Sequence, residues 1–326
     1  MPTTESSPIM PPCLIAPPES EALGRAIAQA ANWEWAAIEE RRFAGGEFSL
    51  RPLVTIENRD VCVVQTLAPT AEAPIAARLV RLLFLLGALR DAGARARIAV
   101  IPYLAYARQE RRTETCEPVH TRYVAELLEA AGMTHLVALD VHDLAALDNS
   151  FRVPVDHLTA RPLFVDWLAE QQLSDPLAVA APDIGGIKRA QLFREHLEKR
   201  LGRAIELLFM EKRRAAGHLS GHQIVGHAAG RHVLLIDDLC ATGETLLRAA
   251  AAFHDAGALR VWAAITHVAS TEGLHALCAN PHLSQVVVTD SALTPEAPLQ
   301  GSARGKLYVR PCASVFGSCL VQLASR

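Results

Sequence analysis

At 326 residues the chain is too long for one ordinary core and suits two domains of about 150 residues each. A charged fraction of 21% with a formal net charge of −3 lacks the basic footprint of a nucleic-acid binder. The greasiest stretch, Leu79 to Leu89, contains Arg81 and falls well short of the ~20 apolar residues that span a bilayer, so a membrane protein is not expected either.

Taken in chain order, residues 1–15 are proline-rich and have neither the basic start nor the apolar middle of a secretory leader, and are read as a mobile tail of a cytoplasmic protein. A buried strand is predicted at Val61 to Val64. A helix follows from Pro74 to Asp91, with Ile75, Leu79, Leu82, Leu83, Leu86 and Leu89 on its apolar side and Gly93 as its stop. Further strands are predicted at Ile98 to Ile101 and Leu136 to Leu139, around a helix from Thr121 to Ala131 that stops at Gly132. Pro154 and Pro162 bracket a segment without helical periodicity, which places a boundary between a first domain, 16–158, and a second, 159–305. The second domain shows strands at Leu177 to Ala180, Ile205 to Phe209, Val233 to Ile236, Val261 to Ile265 and Val286 to Val288, and an alanine-rich helix from Thr245 to Asp255 ending at Gly257. Residues 306–326 read as a strand (Leu307 to Val309), a break at Pro311 and a helix (Ala313 to Leu323) packing back on a domain. Short apolar runs alternating with amphipathic helices predict an α/β protein built of doubly wound, mainly parallel sheets. Seven scattered cysteines, none in a Cys-x-x-Cys pair, suit reduced thiols rather than a disulfide framework or a structural zinc.

The segment from Val233 to Leu246 carries the strongest chemical signal. An apolar strand runs into Asp237 and Asp238, then into the small turn Ala241-Thr242-Gly243, then into a helix containing Thr245. Backbone N–H groups and a helix N-terminus would converge there on a phosphate, while the two carboxylates would accept hydrogen bonds from sugar hydroxyls. A capped strand-to-helix turn is the plain alternative. The segment resembles the 5-phosphoribosyl-diphosphate loop of type I phosphoribosyltransferases and of ribose-phosphate pyrophosphokinases. Tyr103-Leu-Ala-Tyr-Ala-Arg-Gln-Glu110 resembles the Tyr-Ala-Arg-Gln-Asp segment of the pyrophosphokinases. So, in the family's order, do Phe43-Ala-Gly-Gly-Glu47, Asp140-Val-His-Asp143, Phe151 to Leu158, Ala181-Pro-Asp-Ile-Gly-Gly-Ile-Lys-Arg-Ala190 and Lys212-Arg-Arg214.

The resemblance, which runs from about Phe43 to Asp290, implies two doubly wound domains of the type I phosphoribosyltransferase kind and a transfer of the diphosphoryl group of Mg·ATP to the anomeric hydroxyl of ribose 5-phosphate. It implies ATP binding by Phe43, Glu47, Arg108 and Gln109. Ribose 5-phosphate would be bound by Asp237, Asp238, Ala241, Thr242, Gly243, Thr245, Gly185 and Gly186. His142 and Asp183 would hold Mg²⁺, a hard cation that keeps several waters beside one or two protein ligands. Lys212 and Arg214, on a mobile glycine-punctuated loop, would be the catalytic cations. A homo-oligomer, dimer or hexamer, is implied as well, with no nucleic-acid or membrane partner. Gly45, Ala241 and Glu244 depart from the family's pattern, and Glu244 is expected to face outward in the first turn of its helix. A non-catalytic regulatory paralogue, a phosphoribosyltransferase acting on a base, and an RNA-binding regulator on the same fold are the alternatives.

Overall fold

Residues 10–69, 73–173, 175–215, 218–292 and 305–325 are described in the structure, a computed structural model; for 212–215 and 218–222 the description covers the backbone alone. The chain divides into two compact units, Met1–Thr159 with Cys312–Arg326, and Ala160–Pro311.

The first unit runs through β1 (Met10–Ile15), α1 (Glu21–Ala31), β2 (Glu34–Trp35), β3 (Ile38–Arg42), β4 (Phe48–Pro52), β5 (Arg59–Val64), α2 (Ile75–Asp91), β6 (Ala96–Ile101), α3 (His120–Ala130), β7 (His135–Leu139), α4 (Leu144–Ser150) and β8 (Val155–Leu158). Its main sheet is parallel with strand order β2-β1-β5-β6-β7-β8. Val61, Cys62, Val63 and Val64 are wholly buried because helices cover a parallel sheet on both faces. α2 buries Leu79, Leu82, Leu85, Leu86 and Leu89, and the chain leaves it through Gly93 at φ +76°.

Residues 1–15 are not a tail as a whole: β1 occupies Met10–Ile15, lies between β2 and β5, and buries Cys13, Leu14 and Ile15 completely. Pro11 and Pro12 obscured it, since proline cannot donate to a ladder; the register with β5 shifts between Met10 and Cys13 and accommodates them. Residues 1–9 lie outside the described residues.

The second unit contains α5 (Arg161–Glu170), β9 (Leu177–Ala181), α6 (Ile187–Leu201), β10 (Glu206–Ala215), β11 (His218–Val225), β12 (His232–Cys240), α7 (Glu244–Asp255), β13 (Arg260–Val268), α8 (Thr271–Ala279), β14 (Leu283–Thr289) and β15 (Leu307–Arg310). Strand order is β11-β10-β9-β12-β13-β14-β15, parallel except for β11 against β10. The C-terminal segment divides. β15 closes the edge of this sheet, whereas α9 (Ala313–Ala324) belongs to the first unit and lies so close to α1 that a Cβ on Gly317 would sit 2.6 Å from that of Ala30.

Candidate functional site

β12 carries a buried apolar run, Val233 to Ile236, that leads into two acids. Asp237 and Asp238 follow Ile236 and are both held by one guanidinium: Arg189 of α6 reaches Asp237 Oδ1 through Nη1 and Asp238 Oδ1 through Nη2, each at 3.2 Å. Asp237 Oδ1 also accepts a hydrogen bond from the Asp238 backbone N–H at 2.9 Å. Burial, and then the charge of Asp238, push the Asp237 carboxyl well above the usual carboxylate range against the opposing pull of Arg189. Two carboxyl groups fixed by one guanidinium present oxygens at adjacent positions, an arrangement able to accept hydrogen bonds from neighbouring sugar hydroxyls.

Immediately beyond, Cys240 is buried, Thr242 is exposed and Gly243 adopts φ +79°, the left-handed entry to α7. Thr242 Oγ1 accepts from the Glu244 N–H at 3.4 Å. The turn is seated on the start of α8, which Ser270 caps by accepting from the Gly273 N–H at 3.1 Å. A Cβ on Gly273 would collide with the carbonyl oxygen of Ala241, so the loop's position depends on a glycine in a different helix. Ala241 and Thr245 are half-buried and Glu244 is exposed, the outward placement expected of it. The result is a short turn ending at a helix N-terminus, where unpaired N–H groups and the helix dipole favour a phosphate.

β9 ends at Ala181, and Asp183 then caps a short 3-10 turn (Ile184–Gly186) by accepting from the Gly186 N–H at 3.1 Å. That turn starts α6, the helix that carries Arg189, so Gly185 and Gly186 are tied to the acid pair of β12 through a single side chain. Arg189 is not among the site residues expected from the sequence, although it stands within the segment Ala181 to Ala190 that resembles the family's. Its contribution is visible only when α6 and β12 are seen packed together.

Lys212 and Arg214 stand on β10, where Lys212 pairs with His222 and Arg214 with Leu219. The expected open loop is therefore, through Ala215, one arm of an antiparallel hairpin. The side chains of Lys212 and Arg214 lie outside the described ones. The sequence missed the arm because glycines at 217, 221 and 226 argue against a strand.

In the first unit, Phe43 and Glu47 flank the tip of the β3–β4 hairpin. The Phe43 N–H donates to the Glu47 carbonyl at 2.8 Å, and Gly45 and Gly46 both have φ near +90°, at 92° and 91°. Gly45, where the family pattern has Asp, thus occupies a conformation that suits glycine. Phe43 is 53% exposed and Glu47 is exposed too. After β6, Leu104, Ala105 and Ala107 are buried and peg the loop, Tyr106 turns it at φ +65°, and Arg108 and Gln109 stand exposed. His142 is exposed two residues beyond Asp140, whose φ of +37° turns the chain out of β7.

Among the described residues no three His, Cys, Asp or Glu side chains form a metal cluster. Mg²⁺ held chiefly by phosphate oxygens and water needs none, and the donor set of Asp183, with one carboxylate oxygen engaged by Gly186, fits such a partial ligand.

Residues 13–132 match the N-terminal domain of ribose phosphate pyrophosphokinase, and residues 159–276 match the phosphoribosyl transferase domain. The ribose-phosphate pyrophosphokinase of Caldanaerobacter subterraneus subsp. tengcongensis is 32% identical over 303 residues, 92% of this chain and 91% of the relative. That of Fusobacterium nucleatum subsp. nucleatum is 33% identical over 305 residues, 93% and 92% of the two chains. The crystal structure of phosphoribosylpyrophosphate synthetase from Mycobacterium smegmatis superposes with a TM-score of 0.85 at 27% identity, covering 97% of this chain and 99% of the other.

Proposed function

Because this chain belongs to the ribose-phosphate pyrophosphokinase family, we propose that it moves the diphosphoryl group of ATP onto the anomeric hydroxyl of ribose 5-phosphate, giving 5-phosphoribosyl diphosphate and AMP. The observation that carries the reading is the Arg189-bridged pair Asp237–Asp238 at the mouth of the Ala241–Gly243 turn.

In this reading the acid pair holds the ribose hydroxyls and the N–H groups around Thr242, Gly243 and Thr245 hold the 5-phosphate, with Gly185 and Gly186 allowing close backbone approach. Phe43 and Glu47 on the hairpin tip, with Arg108 and Gln109, bind ATP. The anomeric oxygen attacks the β-phosphorus, the bond from that phosphorus to the AMP oxygen breaks, and the hydroxyl proton leaves to solvent. Lys212 and Arg214 neutralise the charge that builds as AMP departs. When bound, Mg²⁺ supplies charge neutralisation on the ATP phosphates, with His142 and Asp183 as its protein ligands. Alignment of the two substrates supplies much of the rest.

Seven scattered cysteines, none in a Cys-x-x-Cys pair, support action in a reducing compartment such as the cytoplasm. The family resemblance supports a homo-oligomer, dimer or hexamer. The exposure of Glu244 weakens the regulatory alternative, since a side chain turned to solvent leaves the turn's N–H groups available to a dianion.

The test is the appearance of AMP from Mg·ATP with and without ribose 5-phosphate. AMP and 5-phosphoribosyl diphosphate are expected in equal amounts, and only with the sugar phosphate present. Folded protein that forms no AMP under these conditions would overturn the assignment.

A further inference from the structure

The β3–β4 hairpin, whose tip carries Phe43 and Glu47, pairs with no other strand among the described residues. Its backbone joins the rest of the first unit near its base, where the Ala36 N–H donates to Leu14 O at 2.9 Å. Further out its attachment is made by side chains. Leu50 is buried, Phe48 packs on Phe84 with ring centroids 5.6 Å apart, and Arg81 enters from α2.

Arg81 is a buried cation with an unusual pair of partners. Its Nη1 donates to Glu19 Oε1 and its Nη2 to Glu40 Oε1, both at 3.1 Å, with the side chains only 7%, 12% and 8% exposed. Glu19 lies in the 3-10 turn before α1, Glu40 in β3 and Arg81 in α2, so one planar fork fixes three segments distant in sequence. The guanidinium also lies 5.2 Å from the centroid of the Phe48 ring, on the opposite strand of the hairpin. Glu40 shares the same Oε1 with the Nε of Arg42, at 2.8 Å, which is the residue next to Phe43.

A buried ion triad contributes little net stability compared with apolar side chains of the same volume. Its directional bonds do restrict geometry in a way that Phe48 and Leu50, which can slide, do not. Glu40 precedes Phe43 by three residues in an extended strand, so its position sets where the hairpin tip lies.

We propose that Arg81 is a positioning residue for the ATP site: through Glu40 and Phe48 it orients the hairpin that presents Phe43 and Glu47 to the nucleotide. The inference rests on the assignment of that tip to ATP. A tip that meets the nucleotide away from the reacting phosphates affects ground and transition states alike, so losing its orientation should raise KM for ATP and spare kcat.

The experiment is steady-state kinetics on Arg81→Met, Arg81→Lys and the neutralised triple variant Glu19→Gln/Arg81→Met/Glu40→Gln, with melting curves for each. The triple variant leaves no unpaired buried charge and keeps the question open to test where Arg81→Met fails to fold. KM for ATP is expected to rise by about tenfold, the equivalent of one ordinary hydrogen bond, in Arg81→Met and in the triple variant, with KM for ribose 5-phosphate and kcat unchanged. Arg81→Lys should lie between these and the parent, because an ammonium engages one carboxylate less directionally than the fork engages two. Leu128→Ala, in the buried core of the same unit, should lower the melting temperature without changing KM for ATP. A triple variant with the parent's KM for ATP would overturn the proposal. So would an equal rise in Leu128→Ala. If the parent forms no AMP at all, the activity assignment fails separately, and calorimetric titration of ATP into the same variants still decides the role of Arg81.

Discussion

Asp237 shares one guanidinium with a second acid, Asp238. Asp237 has its carboxyl raised above the ordinary value by burial and by its neighbour, so the folded chain binds that proton more tightly than the unfolded one. Its contribution to stability is therefore complete below the unfolded value of about 4 and is lost as pH rises through the folded value. Asp237→Asn, which cannot ionise, should melt at a higher temperature than the parent at alkaline pH, and the gap should narrow as pH falls toward that ordinary value. A pH series of melting curves checks this; a gap that opened on acidification would mean that Arg189 stabilises the anion more than burial opposes it. Asp238→Ala addresses binding instead. It should weaken ribose 5-phosphate by roughly 1.5 to 3 kcal/mol, the range of a charged hydrogen bond, and leave ATP affinity unchanged in calorimetric titrations.

Between elements, the phosphate turn depends on α8 as much as on its own residues. Because a Cβ on Gly273 would meet backbone rather than a yielding side chain, Gly273→Ala must displace the Ala241–Gly243 turn. The expected outcome is a raised KM for ribose 5-phosphate with KM for ATP unchanged, and equal effects on both would place the damage in the fold as a whole. The β10–β11 hairpin is the second element with a specific expectation. Its register shift falls between Arg213 and Arg214, which pair with Gly221 and Leu219, so the extra residue, Ser220, belongs to β11. Lys212→Ala and Arg214→Ala should each lose about a hundredfold in kcat, the loss typical of one preorganised charge, while Arg213→Ala on the alternate position loses little. Equal small effects at all three positions would reduce the triplet to a solvated basic patch.

At the scale of the molecule, the last fifteen residues complete the unit that the first residues begin. The Cβ of an alanine at 317 would lie 2.6 Å from Ala30 Cβ and 2.7 Å from Ala30 C, inside any ordinary contact. Gly317→Ala should separate α9 from α1 at a cost of about 1 to 3 kcal/mol, as overpacking usually does. Hydrogen exchange would show faster opening of β1 and α1 with the rates of β12 and β13 unaltered, and acceleration in both units would show that they unfold together.

Apolar runs buried on both faces made β5, β6, β7, β9, β12, β13 and β14 legible in the sequence, and glycine stops marked the ends of α2, α3 and α7, because these are local consequences of side-chain type and backbone freedom. Asp237, Asp238 and the Ala241–Gly243 turn were legible for the same reason: a strand, two acids and a turn adjoin in the chain. Strand β1 was hidden by its prolines, and the polar run Glu39 to Arg42 conceals β3 because its acids are matched by Arg41, Arg51, Arg42 and Arg81 rather than by an apolar face. Tertiary structure alone decided that Arg189 would grip both acids, that Gly273 would make room for Ala241, that Arg81 would join Glu19 to Glu40, and that α9 would lie on α1. Each of these is a contact between segments far apart in sequence, and its existence depends on which helix faces covers which end of a sheet, a property no local pattern of residues contains.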